Sequence, residues 1–276
     1  MANGFKSRTP GAWGGMVSTA RMPVVFFGHG TPMNVVDDNR YTQAWKAIAG
    51  SMPKPKAILC VSAHWFTEGV GVTAMERPKT IHDFYGFPKA LYEMRYPAGG
   101  SPSLARQVRE LLAPVEVALD QEWGLDHGTW SVLHHAYPDA DVPVVQLSID
   151  STQPGSFHYA LGRQLAPLRE QGVLIAGSGN VVHHLGLRSR DEHAPAHGWA
   201  DRFNRRVREH IERREHAPLV AWEGMGEDAR LAINSAEHYL PLLYCLGLQR
   251  EDEPSRFAID GIEMGSLGML SVVIGG

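Results

Sequence analysis

The stretch VVFFGHGTPMN, residues 24–34, decides how the chain is read. Val24, Val25, Phe26 and Phe27 form an uninterrupted β-branched and aromatic run, which suits a strand covered on both faces. The run stops at Gly28, and His29 follows between Gly28 and Gly30. The two glycines let the backbone turn tightly without a Cβ clash. An ordinary loop would do with Asn or Asp there, so a histidine at the carboxyl end of a buried strand points to something bound.

Further short apolar runs lie at 57–62, 115–119, 143–149 and 173–176, and all read as central strands. Helix-like periodicity falls between and after them, at 40–49, 101–113, 129–136, 155–171, 199–214 and 237–246. The apolar terminus GMLSVVIGG is too short to cross a bilayer and reads as a final buried strand. Strands alternating with helices predict an α/β fold: a single domain, residues 22–276, with a central, mainly parallel twisted sheet flanked by helices. Residues 1–21 carry Lys6, Arg8 and Arg21 without a continuous apolar segment, so they read as a loose leader, neither a secretory signal nor a spanning helix. Residues 77–100 form the main irregular insertion. Phe84, Tyr85, Phe87, Tyr92 and Tyr96 suit a structured loop there.

With 276 residues, 43% of them hydrophobic and 20% charged, the chain can bury a sizeable core. A net charge of −4 without a basic run argues against nucleic acid or a membrane surface and for a small-molecule partner. Cys60 and Cys245, the only cysteines, each sit in an apolar stretch. They read as core thiols of a protein in a reducing, cytoplasmic compartment.

Fourteen histidines outnumber the tyrosines, and they gather at informative places. His193, His197, His210 and His216 fall in a charged, helix-like region and read as solvated surface. His29, His64 and the pair His183 and His184 instead follow strand-like runs. In open parallel sheets ligands bind beyond the carboxyl ends of the strands, so these histidines have a common meeting place. Imidazole is the commonest metal ligand, although no short signature such as HExxH is present. In SAEHYLPLLYCLG, Ser235 and Glu237 look like a helix start with His238 in its first turn. Glu237 and His238 point roughly 100° apart on a helix, so only one of them faces the site. Asp126 and His127 stand ahead of another helix. Either Asp126 caps it while His127 packs on Trp123 or Trp130, or His127 acts as an acid or base.

Together the motifs FFGHGTPMN, CVSAHW, TIHDFYGFP, DHGTWSVL, PVVQLSID, SGNVVHHL, EHYLPLLY and GIEMGSLGMLSV, in that order, resemble the class III (LigB-type) extradiol ring-cleavage dioxygenases, in the branch of 4,5-DOPA dioxygenases. The resemblance spans about residues 22–275. It implies a mononuclear metal centre with His29, His64 and His238 as ligands, His183 as a fourth ligand or as the nearby acid/base, and His127 as a further active-site histidine. The wider superfamily completes its ligand set with Glu, which keeps Glu237 beside His238 as a candidate. Fe(II) is the implied cofactor, and Zn(II) is the metal expected where iron has been lost. A catechol of the DOPA type and O2 are the implied substrates, and the ring opens beside the hydroxyls to a muconic semialdehyde. Trp65, Tyr85, Phe87 and Tyr239 are candidates to sandwich a flat ring. His82 and Asp83 are candidates to gate the pocket or bind the substrate tail. Two other readings are a zinc hydrolase and a Memo-type peptide-binding module.

Overall fold

The computed structural model describes residues 21–276. Of the expected leader, residues 1–20 lie outside the described residues, and Arg21 pairs with Glu170 (2.8 Å) and Glu253 (3.2 Å). In chain order the elements are β1 (Val24–Gly28), α1 (Arg40–Gly50), β2 (Ala57–Thr67), β3 (Val70–Thr73), α2 (Lys89–Glu93), α3 (Pro102–Leu111) and β4 (Val117–Asp120). Then come α4 (His127–Ala136), β5 (Val144–Asp150), α5 (Gly155–Gln164), α6 (Ala166–Glu170), β6 (Val173–Gly179), α7 (Gly198–Arg213), α8 (His216–Val220), α9 (Glu227–Ala232) and α10 (Leu240–Gly247). The chain ends with β7 (Ser255–Ile259), the short β8 (Ile262–Glu263) and β9 (Leu267–Gly268), and β10 (Ser271–Ile274).

Eight strands form one sheet in the order β4-β3-β5-β2-β6-β1-β10-β7. The central strands β5, β2, β6 and β1 are mutually parallel, which bears out the expected α/β sheet. Their side chains divide by strand periodicity. Val24, Phe26, Leu59 and Val61 face a core built with α3, α5, α7 and α10. Val25, Phe27, Ile58 and Cys60 face a second core built with α1 and α4. Both faces are buried, which is why these strands read as unbroken apolar runs. Each fully buried Phe, Val or Ile contributes about 1.5–3 kcal/mol.

Several expectations change. The run at 115–119, expected as central, forms the edge strand β4, whose pattern is buried only in part. The final strand exists but runs antiparallel to β1, and it recruits β7, for which the sequence carries no clear alternation. β3 pairs antiparallel with β5, and the insertion contains the short helix α2. The helix expected over 155–171 divides at Leu165 into α5 and α6, with a proline in the first turn of the second. The helix expected from 237 begins at Leu240 with a proline in its first turn, leaving Glu237 and His238 in the preceding turn. Ser235 donates to Glu237 at 2.8 Å instead of capping the helix.

Register explains the site. Gly28 of β1 pairs with Gly179 of β6, and Ser62 of β2 pairs with Ser178, so the three central strands finish level with one another. The register of β2 against β5 shifts between Val61 and Phe66, and His64 sits in that irregular stretch, inside the strand and not past its end.

Candidate metal centre

His29 follows β1, His64 sits in the irregular part of β2, and His238 arrives from the turn before α10. One ring nitrogen from each of the three lies within 4.8 Å of the others. His29 is only 2% exposed, and its Nδ1 is 3.0 Å from Ser178 Oγ. The Ser178 hydroxyl donates to the Gly128 carbonyl at 2.6 Å, so its single proton is committed there. His29 Nδ1 therefore carries the hydrogen, and its Nε2 presents a lone pair. His238 is fixed in the same way: Nδ1 donates to the Glu237 carboxylate at 3.0 Å, leaving Nε2 free. His64 Nε2 approaches His29 Nε2 at 3.3 Å. Two donor nitrogens on one tetrahedral metal, each at 2.0–2.1 Å, stand about 3.3 Å apart, so the spacing fits a shared cation. Converging imidazole lone pairs with anchored Nδ1 atoms are the donor set of a histidine-bound metal.

Electrostatics agree. Burial first, and neighbouring histidines second, hold the pKa values of His29 and His64 well below the ordinary histidine value. Burial also lowers His238, against the opposing effect of Glu237. The three rings are neutral at pH 7, the form that binds metal.

A family model described as the catalytic LigB subunit of aromatic ring-opening dioxygenase matches residues 23–274. The chain belongs to the LigB family. It is 52% identical to the 4,5-DOPA dioxygenase extradiol of Escherichia coli K12 over 94% of this chain and 97% of that protein. Identity to the 4,5-DOPA dioxygenase extradiol of Beta vulgaris is 39%, over 82% and 87% of the two chains. A crystal structure of an uncharacterized protein from Escherichia coli K12 superposes with a TM-score of 0.82 and 48% identity, covering 92% of this chain and all of that one. The LigB protein is thus a class III extradiol ring-cleavage dioxygenase of the DOPA branch, a metal-binding enzyme that takes a small molecule and O2. Among its described residues no helix is long and apolar enough to cross a membrane.

Two more histidines of this LigB enzyme border the trio. The His127 ring lies 3.8 Å from that of His64, centroid to centroid, and is bonded to Asp83. His183 stacks on His238 at 3.5 Å with the planes 8° apart. Burial, then His238, holds the His183 pKa far down. Glu237 lies within reach of His183 and His238 but outside the trio.

His127 owes its place to a buried carboxylate. Asp126 caps α4 by accepting from Thr129 N at 3.1 Å, as the sequence allowed, and it also accepts from Ser62 Oγ at 2.7 Å and from Gln146 Nε2. Burial, then Asp83, raises its pKa to about 6. His127 itself packs on Phe84 at 5.5 Å, not on Trp123 or Trp130. Asp126→Ala is expected to lower unfolding stability by about 1–3 kcal/mol, read from a denaturant midpoint, because Thr129 N, Ser62 and Gln146 all lose a buried acceptor.

Other candidates lie elsewhere. Tyr239 is a core residue whose hydroxyl donates to Leu219 O at 3.0 Å. Trp65 is buried and stacks on Trp123. Phe87 packs on Phe84, and Tyr85 stands 93% exposed on the insertion. His82 reaches Met94 O at 3.0 Å and so anchors its own loop. Asp83 turns inward to His127. Burial alone would raise its carboxyl pKa, but the hydrogen bonds from His127 outweigh burial and lower it. His184 Nδ1 accepts from Leu187 N, leaving the cluster. His193, His197, His210 and His216 stay outside it too, though His216 is half-buried between Tyr159 and Gln249. Ser178 was missed in the sequence, although a polar residue closing an apolar strand was a readable signal.

The histidines give the metal-free protein a defined pH dependence. His29, His64, His183 and His238 all have folded-state pKa values below that of the unfolded chain. Below about pH 6.5 the unfolded chain binds protons that the folded one refuses, so stability falls as pH drops, by up to about 1.4 kcal/mol per pH unit for each group. Asp126, raised to about 6, Glu263, raised to about 7, and Asp37, also raised, act in the opposite sense, but His134, His135, His158 and His216 are lowered as well, so the histidines prevail. The urea midpoint in chelator is expected to be lower at pH 5.5 than at pH 7.

Proposed function

We propose that residues 22–276 form a catalytic domain that cleaves a DOPA-type catechol beside its hydroxyls. His29, His64 and His238 hold Fe(II), His183 accepts a hydroxyl proton, and His127 passes a proton through Nε2. The observation that carries this reading is the convergence of three buried imidazoles, two of them fixed with Nε2 inward, beside two further histidines. A bound Fe(II) supplies Lewis acidity toward the catechol oxygens and a redox centre for O2.

Three neutral imidazoles leave the cation's charge undiminished, which favours a catecholate over a neutral ligand. His183 is held neutral and has no ring hydrogen bond among the described residues, so it is free to accept the proton released on binding. An anionic substrate beside it raises its basicity. His127, with Nδ1 bonded to Asp83, has Nε2 as its working atom. The ring-opened semialdehyde from DOPA can close onto its own amine. Zn(II) suits the same donors and is the metal we expect in protein purified without iron. A reducing cytoplasm suits the two buried free thiols, of which Cys60 is pushed up to about 12 by burial.

Anaerobic Fe(II) reconstitution, then air and DOPA, is expected to give one O2 consumed per catechol and a yellow product, with Zn(II) inactive. Uptake with other catechols but not DOPA would overturn the substrate. Silence with all of them would favour the zinc hydrolase reading.

A further inference from the structure

The insertion reaches the histidine cluster through Asp83. Residues 79–81 run alongside Leu125: Leu125 N donates to Lys79 O at 2.8 Å, and Ile81 N donates to Leu125 O at 2.7 Å. Trp130 Nε1 then donates to Ile81 O at 2.7 Å. This pairing delivers Asp83 to the first residue of α4. There Oδ1 accepts from the His127 backbone N at 2.8 Å, and Oδ2 accepts from His127 Nδ1 at 2.9 Å. The same Oδ2 stands 3.2 Å from His64 Nδ1.

We propose that Asp83 is a positioning residue for ring cleavage: a single loop-borne carboxylate oxygen sets the tautomer of both His64 and His127, so both Nε2 atoms face the centre. The inference rests on the roles given above to these two histidines. A carboxylate oxygen only accepts, so the neutral His127 ring donates its Nδ1–H to it, and at His64, where the 3.2 Å approach is a charge contact and not a hydrogen bond, the negative oxygen favours a proton over a lone pair on Nδ1. At His64 this exposes the atom that binds metal. At His127 it assigns Nε2 as the atom that takes up and returns the proton, with the carboxylate steadying the ring while it is charged. Docking of the insertion is thereby a condition for assembling the site.

Asparagine is the discriminating substitution, since it keeps the shape and changes the hydrogen-bond logic. The backbone N–H of His127 demands the one amide oxygen. The amide NH2 must then face both Nδ1 atoms, which makes them acceptors and moves the ring proton to Nε2. Flipping the amide only transfers the donor-to-donor clash to the backbone.

The test is the ring-nitrogen NMR of the zinc-loaded protein, together with metal titration and steady-state kinetics of the iron form. Wild type is expected to show Nδ1–H on His64 and His127. Asp83→Asn is expected to lose that pattern at His127, weaken metal binding about 10- to 100-fold, and lower kcat at saturating Fe(II) more than it changes KM. Asp83→Glu, which keeps the acceptor chemistry, is expected to recover part of the loss. Retention of the Nδ1–H pattern, metal affinity and kcat in Asp83→Asn would overturn the proposal. Should that variant fail to fold, the wild-type spectrum still decides, since an Nε2–H form of His127 overturns it alone. Expected spectra and titrations in a protein that cleaves no catechol would sink the substrate reading and leave the assignment of Asp83 standing.

Discussion

His64→Ala is expected to abolish both metal retention and turnover, by more than the roughly 10- to 100-fold typical of losing an outer partner of a ligand. The reasoning is geometric. His64 Nε2 stands 3.3 Å from His29 Nε2, and both lie within 4.8 Å of the His238 donor, so removing one ring leaves two donors on two different elements. Two neutral imidazoles hold a divalent ion poorly, and the Asp83 carboxylate keeps only the ring and backbone N–H of His127. His29→Ala is expected to behave alike, and it additionally removes the donor to the buried Ser178 hydroxyl, which keeps its bond to the Gly128 carbonyl. His193→Ala, in an exposed loop outside the cluster, is expected to change neither quantity. Metal content after gel filtration and oxygen uptake with a catechol check all three. Full activity in His64→Ala would remove the basis of the metal site.

The parts of this site that were legible in the sequence are those carried by strands. An apolar run ending in glycine and histidine shows where a buried strand stops, and parallel strands level their ends. His29 and His64 were therefore placed together without any short-range motif. His238 was harder, because a turn held by Glu237 and Ser235 has no periodicity, and a helix start drawn at Glu237 sits three residues too early. Asp83 was legible as a residue near the site but not in its role, since its partner is 44 positions away and nothing local says which way the loop folds. The short strand β3 and the edge strand β7 escaped for a related reason: short strands are stabilised by pairing with distant neighbours more than by their own pattern. Tyr239 shows the converse error. An aromatic beside a ligand invites a substrate role, yet its side chain turns into the core, where its hydroxyl meets a backbone carbonyl.

Gly179→Ala is expected to damage the centre without touching a single functional side chain. Gly179 closes β6, and its carbonyl accepts from His29 N at 3.1 Å. The next residue, Asn180, donates its N–H to His238 O at 2.8 Å. A Cβ at position 179 would lie 2.1 Å from that same His238 oxygen and 3.1 Å from its carbonyl carbon. Both neighbours are backbone, so no side-chain rotation relieves the contact, and either β6 or the turn bearing His238 must move. Overpacking of this kind costs typically about 1–3 kcal/mol. The turn is the weaker element: it is held by hydrogen bonds at its edges, whereas β6 is paired on both sides. The displacement therefore falls on His238, and metal affinity and turnover are expected to drop at least about 10-fold, since a misplacement of an ångström is enough for that. Gly50→Ala, at the end of α1 with nothing within 4 Å of the added methyl, is the control, expected to be neutral or to stabilise by up to about 1 kcal/mol. Denaturant midpoints and zinc titration of the two variants separate general destabilisation from loss of the site. Wild-type metal affinity in Gly179→Ala would mean that β6 yields instead, and that the turn carrying His238 is the more rigid of the two.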